Sequence, residues 1–126
     1  MQYDEFLDQV QERANLDSKQ AEAAVKATLL TLSERLFGYE AQNLAQQLPE
    51  ELRTYLRLSA EKNPFDLEEF YQRVAFLTEA DQDQARRQAR AVISVLKDAV
   101  EPQEIENLRD ELPEEYDALF EPEEVG

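Results

Sequence analysis

Apolar residues recur at helical spacing along almost the whole chain, and this pattern predicts helices. Phe6 and Val10 lie one turn apart in a first predicted helix that runs from about Tyr3 to Ala14. Asp17 is followed three residues later by Gln20, which is the spacing of a capping box and predicts the start of a longer helix. No segment alternates apolar and polar residues as a half-buried strand does, and only two glycines occur. We therefore predict an all-α fold.

The helical pattern occurs twice, with the second copy 64 residues after the first. At this offset Phe6 coincides with Phe70, and residues 48–51 (Leu-Pro-Glu-Glu) recur without a gap at 112–115. Two units of this kind each have an apolar face that the other can cover. We therefore predict one domain over residues 1–126, a single helical bundle built from two similar four-helix repeats at about 3–58 and 66–120. A linker at 59–65 joins the repeats, and an acidic tail at 121–126 follows them.

Local signals predict where several of the helices begin and end. Gly38 is placed to end the long helix of the first repeat in a left-handed conformation. Pro49 and Pro113 suit the first turn of the last helix in each repeat, and Asp66 with Glu69 predicts another capping box. The predicted core consists of shared apolar positions in the two repeats: Phe6, Val10, Val25, Leu29, Leu32 and Leu48, with Phe70, Val74, Ala89, Ile93, Leu96 and Leu112.

The motifs of this chain resemble those of a known protein family. The segment Glu5–Val10, the helix from Asp17 to Leu36, and the segment Leu44–Pro49 are similar to the bacterial family catalogued as domain of unknown function 2267. The recurring Leu-Pro pair after a long Ala-rich helix carries the resemblance, which covers about Tyr3 to Phe120. The resemblance implies an all-α fold, and it supplies no activity, substrate or catalytic residue.

A second resemblance covers only residues 1–40, which are similar to the N-terminal helical hairpin of bacterial histone-like DNA-bending proteins. Those hairpins form intertwined dimers. In this chain no β-arm, basic ribbon or proline-tipped wedge follows the hairpin, and the net charge has the opposite sign. We interpret this similarity as shared amphipathic patterning.

The charge balance excludes several classes of function. The chain has 29 acidic and 13 basic residues, a net charge of −16, and no His or Cys. A nucleic-acid backbone must be neutralised by Lys and Arg, so we expect no direct nucleic-acid binding. The missing residue types exclude thiolate nucleophiles, imidazole bases and Cys/His zinc sites. Neither a membrane-spanning run nor a signal-peptide pattern is visible, so we expect a cytoplasmic protein without membrane contact.

The densest basic cluster is formed by Arg86, Arg87 and Arg90 in the second long predicted helix. One interpretation is a site for an anion or an acidic partner. The other is that these arginines pair with the surplus carboxylates of the chain itself, or with those of a second copy. Arg73 and Lys97 are further basic residues that could lie near this cluster.

The C-terminal segment concentrates the negative charge, because residues 101–126 contain eleven acidic residues and one basic residue. Glu121, Glu123 and Glu124 form the predicted acidic tip. This tip either serves solubility or attracts a basic protein partner.

No catalytic, metal or cofactor site is predicted. Glu50-Glu51 and Glu114-Glu115 could serve as Mg²⁺ or Ca²⁺ ligands, but acidic residues in the first turn of a helix are also explained by the helix dipole. We therefore predict a non-enzymatic acidic helical interaction or regulatory module. Its expected partner is a protein or a second copy of the chain. The alternatives are an acidic decoy that occupies a basic nucleic-acid-binding protein and a carboxylate- or metal-dependent enzyme.

Overall fold

The computed structural model describes residues 1–36, 38–56 and 64–121, and this part of the chain is helical without any strand. The elements in chain order are α1 (Tyr3–Ala14), α2 (Ser18–Arg35), α3 (Gly38–Gln46), α4 (Glu50–Arg53), α5 (Leu67–Thr78), α6 (Gln82–Ala99), α7 (Pro102–Glu111) and a C-terminal 3₁₀ helix (Glu114–Phe120). The predicted all-α class is confirmed. The predicted linker residues 59–63 and the tail residues Glu123 and Glu124 lie outside the described residues.

Both long helices begin at the predicted capping boxes. At the start of α2, Asp17 Oδ1 accepts a hydrogen bond from Gln20 N at 2.8 Å, and Gln20 Oε1 accepts one from Asp17 N at 3.0 Å. At the start of α6, the corresponding distances between Asp81 and Gln84 are 2.8 and 3.4 Å. These reciprocal bonds satisfy amide groups that the first helical turn leaves without partners.

The capping box predicted at the start of α5 forms only in part. Asp66 Oδ1 accepts a hydrogen bond from Glu69 N at 2.9 Å, as expected. The Glu69 carboxylate does not return to the backbone, because it accepts hydrogen bonds from Arg73 one turn further along the helix, at 2.6 and 3.0 Å. An ion pair with a side chain on the same face therefore replaces the second half of the box.

The predicted role of Gly38 is wrong. α2 ends at Leu36, whose backbone is extended, and Gly38 is the first residue of α3. No glycine in the described part has a positive φ, so no left-handed glycine is needed to end this helix. Pro49 and Pro113 lie one position before the predicted one, since each immediately precedes the first residue of its helix.

The four longest helices form the centre of the molecule. α1 packs against both α2 and α6, α5 packs against the same two helices, and α2 contacts α6. Every residue of the predicted core is buried and belongs to one hydrophobic cluster that includes residues from all four helices. The apolar positions at helical spacing therefore identified the core correctly, because each long helix is covered from two sides.

Phe65 lies within the predicted polar linker, yet it is buried and anchors the start of the second half of the chain. Its carbonyl oxygen accepts hydrogen bonds from Arg35 Nε at 2.9 Å and from the Tyr116 hydroxyl at 2.7 Å. The Arg73 guanidinium carbon lies 3.8 Å from the centre of the Phe65 ring, which is a cation–π contact. This one residue therefore ties together α2, α5 and the 3₁₀ helix.

Candidate functional site

A cleft of about 1000 Å³ opens where the turn between α1 and α2 meets the turn between α5 and α6. Each turn contains one residue in the left-handed conformation. This residue is Asn15, with φ 54°, in the first turn and Glu79, with φ 58°, in the second. These residues end α1 and α5, and the chain then reverses into the start of α2 or α6. The cleft therefore has one wall from each half of the chain.

The charge of the cleft is opposite to that of the protein. Four basic side chains line it, Arg13, Lys19, Arg87 and Arg90, and Glu79 is the acidic side chain that lines it with them. The chain as a whole carries a net charge of −16 with only 13 basic residues. The capping carboxylates offset the positive ends of α2 and α6, so the positive charge of the cleft comes from its basic side chains. Asp98 balances the charge of one of them, Arg13.

Arg13 is held in place by contacts across the cleft. Its guanidinium donates hydrogen bonds to the Ser94 hydroxyl at 3.1 Å and to the Asp98 carboxylate at 2.5 Å, both on α6. It also donates to Gln9 Oε1 at 3.2 Å on its own helix. These bonds connect the C-terminal end of α1 to the C-terminal part of α6, and they fix the position of one cation at the cleft wall.

Arg90 is half-buried and is also held by the protein. Its Nε atom donates a hydrogen bond to the Tyr71 hydroxyl on α5 at 3.4 Å. The tyrosine is buried, and its ring packs edge to face on the core residue Phe70. Arg90 therefore joins the cleft to the hydrophobic core.

Lys19 and Arg87 differ from the other two cations. Both are exposed, and neither forms an ion pair with a residue in the described ranges 1–36, 38–56 and 64–121. Lys19 belongs to the first turn of α2 and Arg87 to the second turn of α6. The cleft therefore presents two exposed positive charges, one on each wall.

The predicted arginine cluster divides between two surfaces. Arg87 and Arg90 line the cleft, whereas Arg86 is not among the lining residues and forms a long contact of 3.8 Å with Asp83. The side chains of adjacent helical residues point about 100° apart, so Arg86 and Arg87 face different directions although they are neighbours in sequence.

The two other basic residues considered with the cluster lie elsewhere. Arg73 pairs with Glu34 and Glu69, and Lys97 donates a hydrogen bond to the Phe120 carbonyl oxygen at 3.0 Å. The two turns that form the cleft supply two cations that sequence reasoning did not find, Arg13 and Lys19. No local pattern in the sequence marks these two cations as neighbours of Arg87, because packing alone brings them to the same cleft.

The acidic C-terminal part of the chain forms a separate surface on α7 and the 3₁₀ helix. The basic residue in this region, Arg109, forms an ion pair with Asp117 at 3.3 Å. Glu121 is exposed at the end of the described residues. The other exposed acidic residues of this surface are Glu101, Glu106, Asp110, Glu114 and Glu115.

Two glutamates are buried where α3 contacts α7, namely Glu40 and Glu104. Glu40 accepts a long hydrogen bond of 3.4 Å from Asn43, while Glu104 Oε1 is inaccessible and has no hydrogen-bond partner among the residues that the structure describes. Burial raises the pKa of Glu104 above its ordinary value, and the nearby Glu40 and Glu111 carboxylates raise it further. Within the described part of the chain, no group of three or more acidic side chains is arranged to hold a metal ion.

The fold and the cleft define an all-helical protein, and none of its described helices combines the length and apolar composition needed to cross a membrane. The chain belongs to the family of uncharacterised conserved proteins DUF2267, whose model matches residues 3–119. This match confirms the resemblance found in the sequence. No curated protein matches the chain.

Proposed function

We propose that this protein is a non-enzymatic interaction or regulatory module that recognises an anionic group in the basic cleft. The observation that carries the proposal is the placement of Lys19 and Arg87 on opposite walls of one cleft, as exposed cations that form no ion pair with a described residue. In a chain with 29 acidic residues, cations that could pair internally have many carboxylates available. An anion from outside the chain supplies the missing partner.

The organisation in two repeats is part of this proposal. The first three helices of each half, α1 to α3 and α5 to α7, begin 64 residues apart. Asn15 and Glu79 also share the left-handed conformation at this offset. These correspondences support two similar four-helix units. The cleft lies between their equivalent turns, so it exists only when both units are present.

The proposal is tested by capture of partners from a lysate of the source organism with the tagged full chain. Arg87→Gln and Arg86→Gln are a matched pair, because each removes one positive charge from α6 while only Arg87 lines the cleft. We expect one dominant partner that binds the wild type and Arg86→Gln and is lost with Arg87→Gln. Equal capture by the two variants would contradict recognition in the cleft.

A specific turnover that is abolished by a single Asp or Glu substitution would contradict the non-enzymatic part of the proposal. The solution mass of the purified chain tests whether the partner is a second copy. An Arg87-dependent dimer would identify the anionic group as a carboxylate of that copy.

The acidic surface of α7 and the 3₁₀ helix favours a second candidate function, an acidic decoy for a basic nucleic-acid-binding protein. Exposed charges are screened within about 10 Å at 0.1 M salt, so decoy binding should weaken steeply with ionic strength. The double variant Glu106→Gln, Asp110→Asn should weaken it further, because both residues are exposed on α7. Arg87→Gln should leave it unchanged, so the two functions are distinguishable.

A further inference from the structure

We propose that the ligand of the cleft is a small molecule that carries a phosphate group, as a monoester or a diphosphate. This inference rests on the proposed function, because it assigns a chemical class to the anion recognised there. It depends on the exposed cations Lys19 and Arg87, on the two cations that the protein holds beside them, and on the size and surroundings of the cleft.

The number of exposed cations matches a phosphate better than a carboxylate. Lys19 and Arg87 together present two positive charges without an ion pair among the described residues. A carboxylate group carries one negative charge and would balance one of them. A phosphate monoester carries about −1.5 to −2 near pH 7 and has three strong acceptor oxygens, so it can bind both.

The types of side chain also fit a phosphate. The guanidinium of Arg87 can donate two parallel hydrogen bonds to phosphate oxygens, and the Lys19 ammonium acts as a point charge that needs no fixed orientation. Arg13 and Arg90 add guanidinium donors whose positions are set by Ser94, Asp98 and Tyr71, and the Asp98 carboxylate balances the charge of Arg13. A phosphate held by Lys19 and Arg87 would contact α2 and α6 at once.

The surroundings favour a small ligand over a large polyanion. The volume of about 1000 Å³ is at the upper end for small-molecule sites. Leu16, Ala23 and Ala91 also line the cleft and give the rest of the ligand an apolar surface. The exposed capping residues Asp17 and Asp81 lie at the starts of α2 and α6, and the net charge of −16 repels an extended polyanion.

The inference is tested by calorimetric titration of inorganic pyrophosphate into the full chain at low ionic strength. The variants are Arg87→Gln and Lys19→Gln, with Arg86→Gln as the control that makes the same change in net charge outside the cleft. Citrate is titrated in parallel as an anion with carboxylates only. Circular dichroism of each variant establishes that the helical fold is retained, as expected for exposed or partly exposed side chains.

We expect saturable binding of pyrophosphate that weakens about tenfold or more with Arg87→Gln or Lys19→Gln, because each loses a charge-assisted hydrogen bond. Arg86→Gln should change the affinity by less than about twofold, since Arg86 does not line the cleft and its guanidinium faces Asp83. Chemical shifts of backbone amides should change at the turns around Asn15 and Glu79.

Three results would each overturn the inference: no saturable binding of pyrophosphate, equal loss with Arg86→Gln and Arg87→Gln, or citrate binding as tight as pyrophosphate. The proposed function fails separately, when neither a captured partner nor any of the titrated anions binds in a way that depends on Arg87. If a protein is captured through Arg87 while pyrophosphate does not bind, the interaction module stands and the phosphate ligand is wrong.

Discussion

Phe70→Ala tests the central claim about the fold, which is that the apolar positions of α5 form part of one shared core. The Phe70 side chain is fully buried. Its ring packs edge to face on Tyr71 with centroids 6.2 Å apart and on Tyr116 with centroids 6.0 Å apart. The substitution would remove the ring from the contact between α5 and the 3₁₀ helix and leave a cavity there.

The expected loss of unfolding free energy is about 3–5 kcal/mol, the usual cost of truncating a buried phenylalanine. Edge-to-face aromatic pairs are worth about 0.5–1.5 kcal/mol beyond their buried area, and two such pairs would be lost. A domain is typically stable by about 5–15 kcal/mol, so this one change would remove a large share. With an unfolding entropy of about 2.1 cal/mol/K per residue over 126 residues, the melting temperature should fall by about 11–19 °C.

The measurement is urea-induced and thermal unfolding followed by circular dichroism. Phe76→Ala is the matched control, because Phe76 lies on the same helix and is 83% exposed. The control should change the stability by less than about 0.5 kcal/mol, as is usual for surface substitutions. A loss below about 1 kcal/mol for Phe70→Ala would refute its position in the core.

The remaining predictions concern titratable and capping groups. Because the pKa of Glu104 is raised, the folded state binds the Glu104 proton more tightly than the unfolded state does. The contribution of Glu104 to stability therefore falls as the pH rises above the ordinary pKa of 4.5. Glu104→Gln should therefore be more stable than the wild type in urea unfolding at pH 7, and this advantage should shrink on acidification. Glu106→Gln, at an exposed site, should not be more stable than the wild type. An equal response of the two variants would contradict the burial argument. Burial raises the pKa of Tyr116 to about 12. In an alkaline titration followed by tyrosine absorbance, the component that Tyr116→Phe removes should therefore be centred near that pH. Removal of a component near pH 10 instead would contradict the packing around the Tyr116 hydroxyl. Asp81→Ala should cost about 1 kcal/mol in thermal unfolding through loss of the cap of α6. Asp83→Ala, two residues further along and exposed, should cost less than about 0.5 kcal/mol. The reverse order would be inconsistent with the capping box.

The parts of the fold that depend on short stretches of sequence were predictable. The capping boxes at Asp17 and Asp81 need only a side chain and an amide three residues away, and the core positions follow from helical periodicity. Gly38 was misjudged because α3 starts directly after α2, so an extended Leu36 ends the long helix without a left-handed glycine. The burial of Phe65 was missed because its neighbours in sequence are mostly polar and two of its partners, Arg35 and Tyr116, come from distant parts of the chain.

The candidate site was predictable only in part, because it depends on the meeting of two distant turns. Arg87 and Arg90 could be named from their density in the sequence, but so could Arg86, which does not line the cleft. Arg13 and Lys19 are isolated in the sequence and become neighbours of Arg87 only through packing. Tertiary structure, which the hydrophobic pattern does not specify, decides which cations meet.

Helices α1 and α5 each pack on both long helices, and this packing holds the two halves of the chain together. Each of these helices covers the long helix of the other half as well as that of its own, so the contacts between halves are as much a part of the core as those within a half. The peptide connection between the halves is then not the main force that keeps them together. A chain cut between residues 57 and 63 should stay associated as two fragments, whereas either fragment made alone would expose the apolar surfaces that its missing partner covers.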